Sequence, residues 1–181
     1  AYNTLKDNGM KVFIGTVTTG ACLSVVSQTK ADNMFQITPS ASAAKVIAND
    51  NCFQVCFTDP NQGTASADYI ASKGLATKVA VIYNSSDAYS SGIYDNFKAE
   101  AAAKGLDLVA SEAFTGDSKQ DFSSQLSKIK ASGAELIFLP IYYQEASLIL
   151  SQAKNAGITA KFFGCDGLDG LLNIENFDKS L

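Results

Sequence analysis

Seven short apolar runs, mostly separated by stretches of helical periodicity, limit this chain to very few folds. The runs fall at residues 11–15, 34–37, 53–57, 78–83, 107–113, 136–140 and 161–164. Helical patterns occupy residues 21–31, 60–73, 91–104, 122–131 and 145–155. Val79-Ala-Val-Ile-Tyr83 and Leu136-Ile-Phe-Leu139 are continuously apolar rather than alternating. A strand that is apolar on both sides needs cover on both sides, and helices between successive strands supply it. The order therefore predicts an α/β fold with parallel sheets covered by helices. Ligands of such sheets sit beyond the carboxyl ends of the strands. That rule directs attention to the residues after Gly15, Ile37, Tyr83, Leu139 and Gly164.

Local end signals support the helices. Asp59-Pro60 pairs an N-cap with a first-turn proline. Gly74, Gly105, Gly133 and Gly157 each follow a helical pattern, where a left-handed terminator belongs. Ser118-Lys-Gln-Asp121 resembles a capping box with Asp in place of Glu. The rhythm breaks at Phe57-Thr-Asp-Pro60, a candidate crossover between lobes. Residues 1–7, ended by Asn8-Gly9, read as the last turns of a helix. The expectation is a fragment of a larger two-lobed protein.

Missing residue types exclude whole classes of chemistry. The chain contains no His, and every one of its 14 basic residues is Lys. Ser-His-Asp and Cys-His catalysis and His-bearing metal sites are excluded, as is guanidinium recognition of anions. Any bound anion must be held by Lys, hydroxyls or backbone N–H groups. The net charge of −4 is spread along the chain without a basic stripe, so nucleic acid is not an expected partner. No apolar run reaches the roughly 18 residues a membrane span requires, and no membrane insertion is expected from this segment. Neither metal nor cofactor is expected. Cys52 and Cys56, read on one strand, would stand about 13 Å apart, too far to bridge each other. With Cys22 and Cys165 they match no zinc spacing and read as buried thiols packing as small apolar groups.

The residues beyond the strand ends form a pattern. Gly15-Thr-Val-Thr-Thr-Gly20 opens a helix without the spacing of a phosphate loop, and Thr18 and Thr19 suit either a carboxylate or a plain helix cap. Thr38-Pro-Ser-Ala-Ser-Ala43 is a turn of small hydroxyl residues. Tyr89 enters a helix after Asn84-Ser-Ser-Asp-Ala, Tyr142 and Tyr143 follow Pro140, and Asp166 and Asp169 follow Gly164. Each alone reads equally as capping, packing or rim. Together, hydroxyls on one side with aromatics and an acid on the other suit a small zwitterion, because a buried ammonium needs a counter-charge.

The chain resembles the branched-chain amino-acid type of periplasmic solute-binding protein, the receptor of an ABC importer. The matching segments are Lys11-Val-Phe-Ile-Gly-Thr-Val-Thr-Thr-Gly20, Ile37-Thr-Pro-Ser-Ala-Ser42, Val55-Cys-Phe-Thr-Asp-Pro60, Ser86-Asp-Ala-Tyr-Ser-Ser-Gly92, Asp121-Phe-Ser-Ser-Gln-Leu126 and Phe163-Gly-Cys-Asp-Gly167. The resemblance implies the two-lobed type I periplasmic-binding fold. Residues 1–58 would be part of a first lobe lacking its N-terminal strands, and residues 59–181 the second lobe and the start of a return crossover. It implies that Thr19 and Ser42 hold a carboxylate, and Thr18, Gly20 and Asp169 are second choices for the same site. Ser42 and the carbonyl of Ser40 would meet the amine, Tyr89 and Tyr142 would close over the ligand, and Asp166 would receive the ammonium, with Asp169 nearby. Thr18 stands where some relatives carry a disulfide cysteine, so that bridge is not expected here. The implied function is a non-enzymatic receptor that hinges shut on a small amino acid and presents it to a membrane permease. The implied location is periplasmic or extracellular, with a lipid anchor at a missing N-terminus one option. The alternatives are a ligand-sensing domain of a signalling receptor and a small α/β enzyme. No Gly-x-Ser-x-Gly elbow supports the latter.

Overall fold

A computed structural model describes residues 1–180. They form two compact units, Ala1–Asn61 and Gln62–Leu181. The chain is α/β, with a parallel sheet in each unit.

In the first unit, α1 (Tyr2–Asp7) leads into β1 (Val12–Ile14), α2 (Thr19–Leu23), α3 (Val26–Ala31), β2 (Phe35–Thr38) and β3 (Cys52–Gln54). The sheet order is β1-β2-β3, with Phe13 opposite Gln36 and Gln36 opposite Cys52. Those three residues point inward and are buried. The alternate positions point the other way. Val12 is 53% exposed and Ile14 76%, and Phe35 and Phe53, also exposed, stack on each other at 5.4 Å. The two-residue period of a strand thus leaves one apolar face of this sheet uncovered. The covered face is braced by polar contacts as much as by packing. Gln36, fully buried, accepts from Thr29 Oγ1 at 2.7 Å and donates to the carbonyl of Gly15 at 3.0 Å and to Cys22 Sγ at 3.2 Å.

The second unit takes most of α4 (Asp59–Ser72), then β4 (Lys78–Asn84), α5 (Ala88–Ala103), β5 (Asp107–Phe114), α6 (Ser123–Ser132), β6 (Leu136–Leu139), α7 (Tyr143–Asn155) and β7 (Lys161–Gly164). Its sheet runs β5-β4-β6-β7, all parallel. Successive residues of the continuous apolar strands divide between two cores. Val79, Val81 and Phe138 pack with Ile70, Ile93 and Phe97 of α4 and α5. Ala80, Ile82, Ile137 and Leu139 pack with Leu126, Ile129 and Ile149 of α6 and α7. A Cβ on Gly63 would lie 2.5 Å from the carbonyl oxygen of Ile93, so only glycine lets α4 approach α5 this closely.

Several local expectations change. The helix predicted over residues 21–31 breaks into α2 and α3, with Ser24 Oγ turned back onto the carbonyl of Ala21 at 2.7 Å. The strand predicted over residues 53–57 is only Cys52–Gln54, so Cys56 lies beyond it and the same-strand spacing of the two cysteines does not apply. Ser118 does not box a helix. Its hydroxyl accepts from the Thr115 N–H in a turn, and Asp121 Oδ1 takes the Ser123 N–H at 2.9 Å instead. The helix before Gly105 begins three residues earlier than its periodicity shows, at Ala88, because Asp87 caps it through the Ser90 N–H. Gly74, Gly105, Gly133 and Gly157 all carry positive φ, from 58° to 73°, as terminators should.

Candidate functional site

Two clusters lie beyond strand ends, one in each unit. In the first unit the loop after β2 is tied down by hydroxyls. Thr38 Oγ1 donates to the Thr16 carbonyl at 2.5 Å and accepts the Ala41 N–H at 3.0 Å. Thr19, almost wholly buried, accepts the N–H groups of Ser42 at 3.1 Å and Ala43 at 3.4 Å on its Oγ1. The Ser42 carbonyl in turn accepts the Asp59 N–H at 2.9 Å. Thr19 therefore fixes the backbone of the Ser42 turn, and its own hydroxyl proton has no acceptor among the described residues. Ser42 Oγ is buried with no hydrogen-bond partner among the described residues. A buried hydroxyl left unpaired costs about 1–3 kcal/mol. Two neighbouring hydroxyls with protons to donate form an acceptor-seeking site of the kind a carboxylate fills.

Thr18 is the N-cap of α2 and makes no side-chain cap bond, so its hydroxyl does not serve as the cap that a plain structural reading offers. It and Gly20 are exposed, while Ser40 is half-buried in the turn. The helix that Thr18 caps has only five residues. A dipole that short contributes little, so affinity for an anion would rest with the hydroxyls.

In the second unit the pieces converge more tightly. Tyr89, in the first turn of α5, is 2% exposed and stacks on Tyr142 at 4.8 Å with 17° between ring planes. Its hydroxyl donates to Asp166 Oδ1 at 2.6 Å and accepts the Gly167 N–H at 2.9 Å. Burial, then Cys165 and Asp166, pushes the phenol well above its ordinary range, so Tyr89 stays a donor. The second oxygen of Asp166, a half-buried residue, takes no hydrogen bond among the described residues. A carboxylate with one oxygen committed and one unclaimed is oriented toward an incoming cation.

The clusters include Thr19, Ser42, Tyr89, Tyr142 and Asp166, all singled out from the sequence. Asp169 is exposed, and its contact with this group is its N–H on the Asp166 carbonyl at 2.8 Å, which closes a 3-10 turn. Two residues without a sequence-assigned role matter. A Cβ on Gly167 would fall 2.6 Å from both Tyr89 Oη and the Ile141 carbonyl oxygen, so any side chain there displaces Tyr89. Thr38 positions the Ser42 turn. Gly167 lay within a quoted motif, but nothing local distinguishes a close-approach glycine from a turn glycine. Asp87 is the other perturbed acid here. Burial raises its carboxyl, which caps α5 rather than facing the Tyr89 group. Among the described residues no group of His, Cys, Asp or Glu side chains is placed to hold a metal, and no helix is long and apolar enough to cross a membrane.

A family model described as periplasmic binding protein matches residues 1–173. A Leu/Ile/Val-binding protein homolog of Brucella melitensis biotype 1 is 33% identical over 170 residues, covering 93% of this chain and 46% of the relative. The solved leucine binding protein LivK of Thermotoga maritima superposes with a TM-score of 0.87 at 27% identity, covering 93% of this chain and 48% of that one. The branched-chain amino acid transporter substrate binding protein LivJ of Streptococcus pneumoniae, solved with isoleucine, gives 0.83 at 29% identity, covering 91% and 47%. The chain thus spans about half the length of the relatives it matches.

Proposed function

The chain belongs to the periplasmic binding protein family, and from that premise we propose that it forms part of a receptor for a small amino acid of the branched-chain type. The family consists of solute-binding proteins, and the matched relatives are named for binding leucine, isoleucine and valine. The observation that carries the reading is Asp166, held through one oxygen by the permanently protonated Tyr89 hydroxyl and presenting the other. In the proposed complex the ammonium meets Asp166 and the Ser40 carbonyl. The carboxylate meets the hydroxyls of Thr19 and Ser42, with Thr18 and Gly20 at its rim. The side chain packs against Tyr142, Tyr89 backs Asp166 from behind, and Asp169 stands outside the contact.

Both clusters sit just past the carboxyl ends of parallel strands, where such folds take ligands, and each supplies one half of what a zwitterion needs. The receptor acts outside the cytoplasm, closes its two lobes on the amino acid and delivers it to an ABC permease. A panel of amino acids in a thermal-shift assay on the full-length protein tests this. An amino acid at 100 times its Kd should stabilise by about 2.7 kcal/mol. A well-folded sample that no amino acid shifts refutes the reading.

A further inference from the structure

The first unit contains a pair of cysteines that the ligand site does not use. Cys22 lies at the inner side of α2 and Cys52 opens β3, and both belong to one buried cluster with Ala41, Ala43 and Val46. Cys52 is paired in register with Gln36, and Gln36 Nε2 donates to Cys22 Sγ at 3.2 Å. Both are free thiols in this structure, brought into the same buried cluster on either side of Gln36. The other two cysteines have other contacts, Cys56 at the edge of the same cluster and Cys165 in the second unit. Cys56 Sγ donates to the Ala41 carbonyl at 3.6 Å, and Cys165 packs in the second unit beside Tyr89.

We propose that Cys22 and Cys52 are a disulfide site, closed by exchange with a disulfide donor while the first unit folds. One thiolate of the pair attacks the donor disulfide, whose S–S bond breaks and releases the first donor thiol. The second thiolate then displaces the remaining donor sulfur and forms the Cys22–Cys52 bond. Two electrons pass to the donor, which leaves as two thiols carrying the two protons. The donor is a dithiol–disulfide oxidoreductase or a small-molecule disulfide such as oxidised glutathione.

The timing follows from burial. In the folded unit Cys22 is fully buried and Cys52 nearly so, and burial pushes the Cys52 thiol up to about 11. A thiolate that scarce and that sealed reacts slowly, so exchange belongs to the open, folding chain. The bond would close a loop running from α2 through β2 and the Ser42 turn to β3, and so pin the floor beneath Thr19 and Ser42.

This proposal does not depend on the ligand reading, and its test is separate. The full-length protein is refolded in oxidised and reduced glutathione, quenched in acid, alkylated and mapped by mass spectrometry. The expected result is a peptide pair linked through Cys22 and Cys52 that disappears on reduction, with Tm falling by about 5 °C. Cys22→Ser or Cys52→Ser should abolish the link, and Cys165→Ser should leave it. Complete alkylation of both Cys22 and Cys52 after oxidative refolding overturns the proposal, as does a link that uses Cys56 or Cys165, or a Tm indifferent to reduction. The wild-type map decides the question even if a serine variant fails to fold.

Discussion

The two sheets of this chain share one design and differ in what covers them. The sheet of β4 to β7 has α4 and α5 on one side and α6 and α7 on the other, and every residue of Leu136–Leu139 is buried. The sheet of β1 to β3 buries Phe13, Gln36 and Cys52 while Val12, Ile14, Phe35 and Phe53 remain exposed on the opposite face. One unit is held by apolar packing on two fronts. The other is, among the described residues, held on one front, where buried hydrogen bonds centre on Gln36, Thr38 and Thr19. The binding chemistry is divided in the same way. The hydroxyls proposed to meet an anion arise where the unit is already polar inside, and the aromatic, acidic cluster arises against the well-packed core.

The largest expected effect separates the two sheets directly. Phe138→Ala, at a fully buried position against Phe97, should cost about 3–5 kcal/mol in urea denaturation. Phe53→Ala, on the uncovered face, should cost under about 1 kcal/mol. Equal costs would erase the contrast. Next comes the polar brace. Thr19→Val leaves the Ser42 and Ala43 N–H groups without their acceptor and should cost about 1–3 kcal/mol, whereas Thr18→Val should change stability by less than about 0.5 kcal/mol.

The exposed face should also reveal itself by association. In the 181-residue chain, Ile14→Lys combined with Phe53→Glu should leave stability within about 1 kcal/mol and reduce self-association in sedimentation velocity. An unchanged sedimentation profile would mean that the face is not what brings copies together.

The smallest effect is on acid stability, and it touches both units. Asp32 is lowered by hydrogen bonds from Lys6 and Tyr2, and Glu135 by the N–H groups of Thr77 and Lys78. A carboxylate depressed in the folded state adds stability that is complete above its unfolded value, near 4, and is lost as pH falls through the folded one. Asp32→Asn and Glu135→Gln should each flatten the loss of stability below about pH 4 and leave it unchanged in slope above pH 6.

What could be read from the sequence was local. The continuous strands of the second unit, its glycine terminators and the positions just past the strand ends follow from periodicity and turn chemistry over a few residues. The break at Ser24 was hidden because neither Gly nor Pro marks it within the helical pattern. The short β3 was hidden because Val55 and Phe57 look like strand residues, although the pairing of β3 with β2 ends at Gln54. Tyr89 could be singled out as a candidate, but its hydrogen bond to Asp166 could not be foreseen. Its partners, Asp166 and Gly167, lie 77 and 78 residues away. The meeting of Cys22 and Cys52 was invisible for the same reason.

The central claim is that Asp166 receives an ammonium, and calorimetry on the full-length protein tests it most directly. Leucine and its deaminated hydroxy-acid analogue are titrated into wild type and Asp166→Asn. If Asp166 is the counter-charge, leucine affinity falls about 100-fold or more, as expected when a buried charge loses its partner, while the hydroxy acid changes by only a few-fold. Equal losses for both ligands would contradict the account.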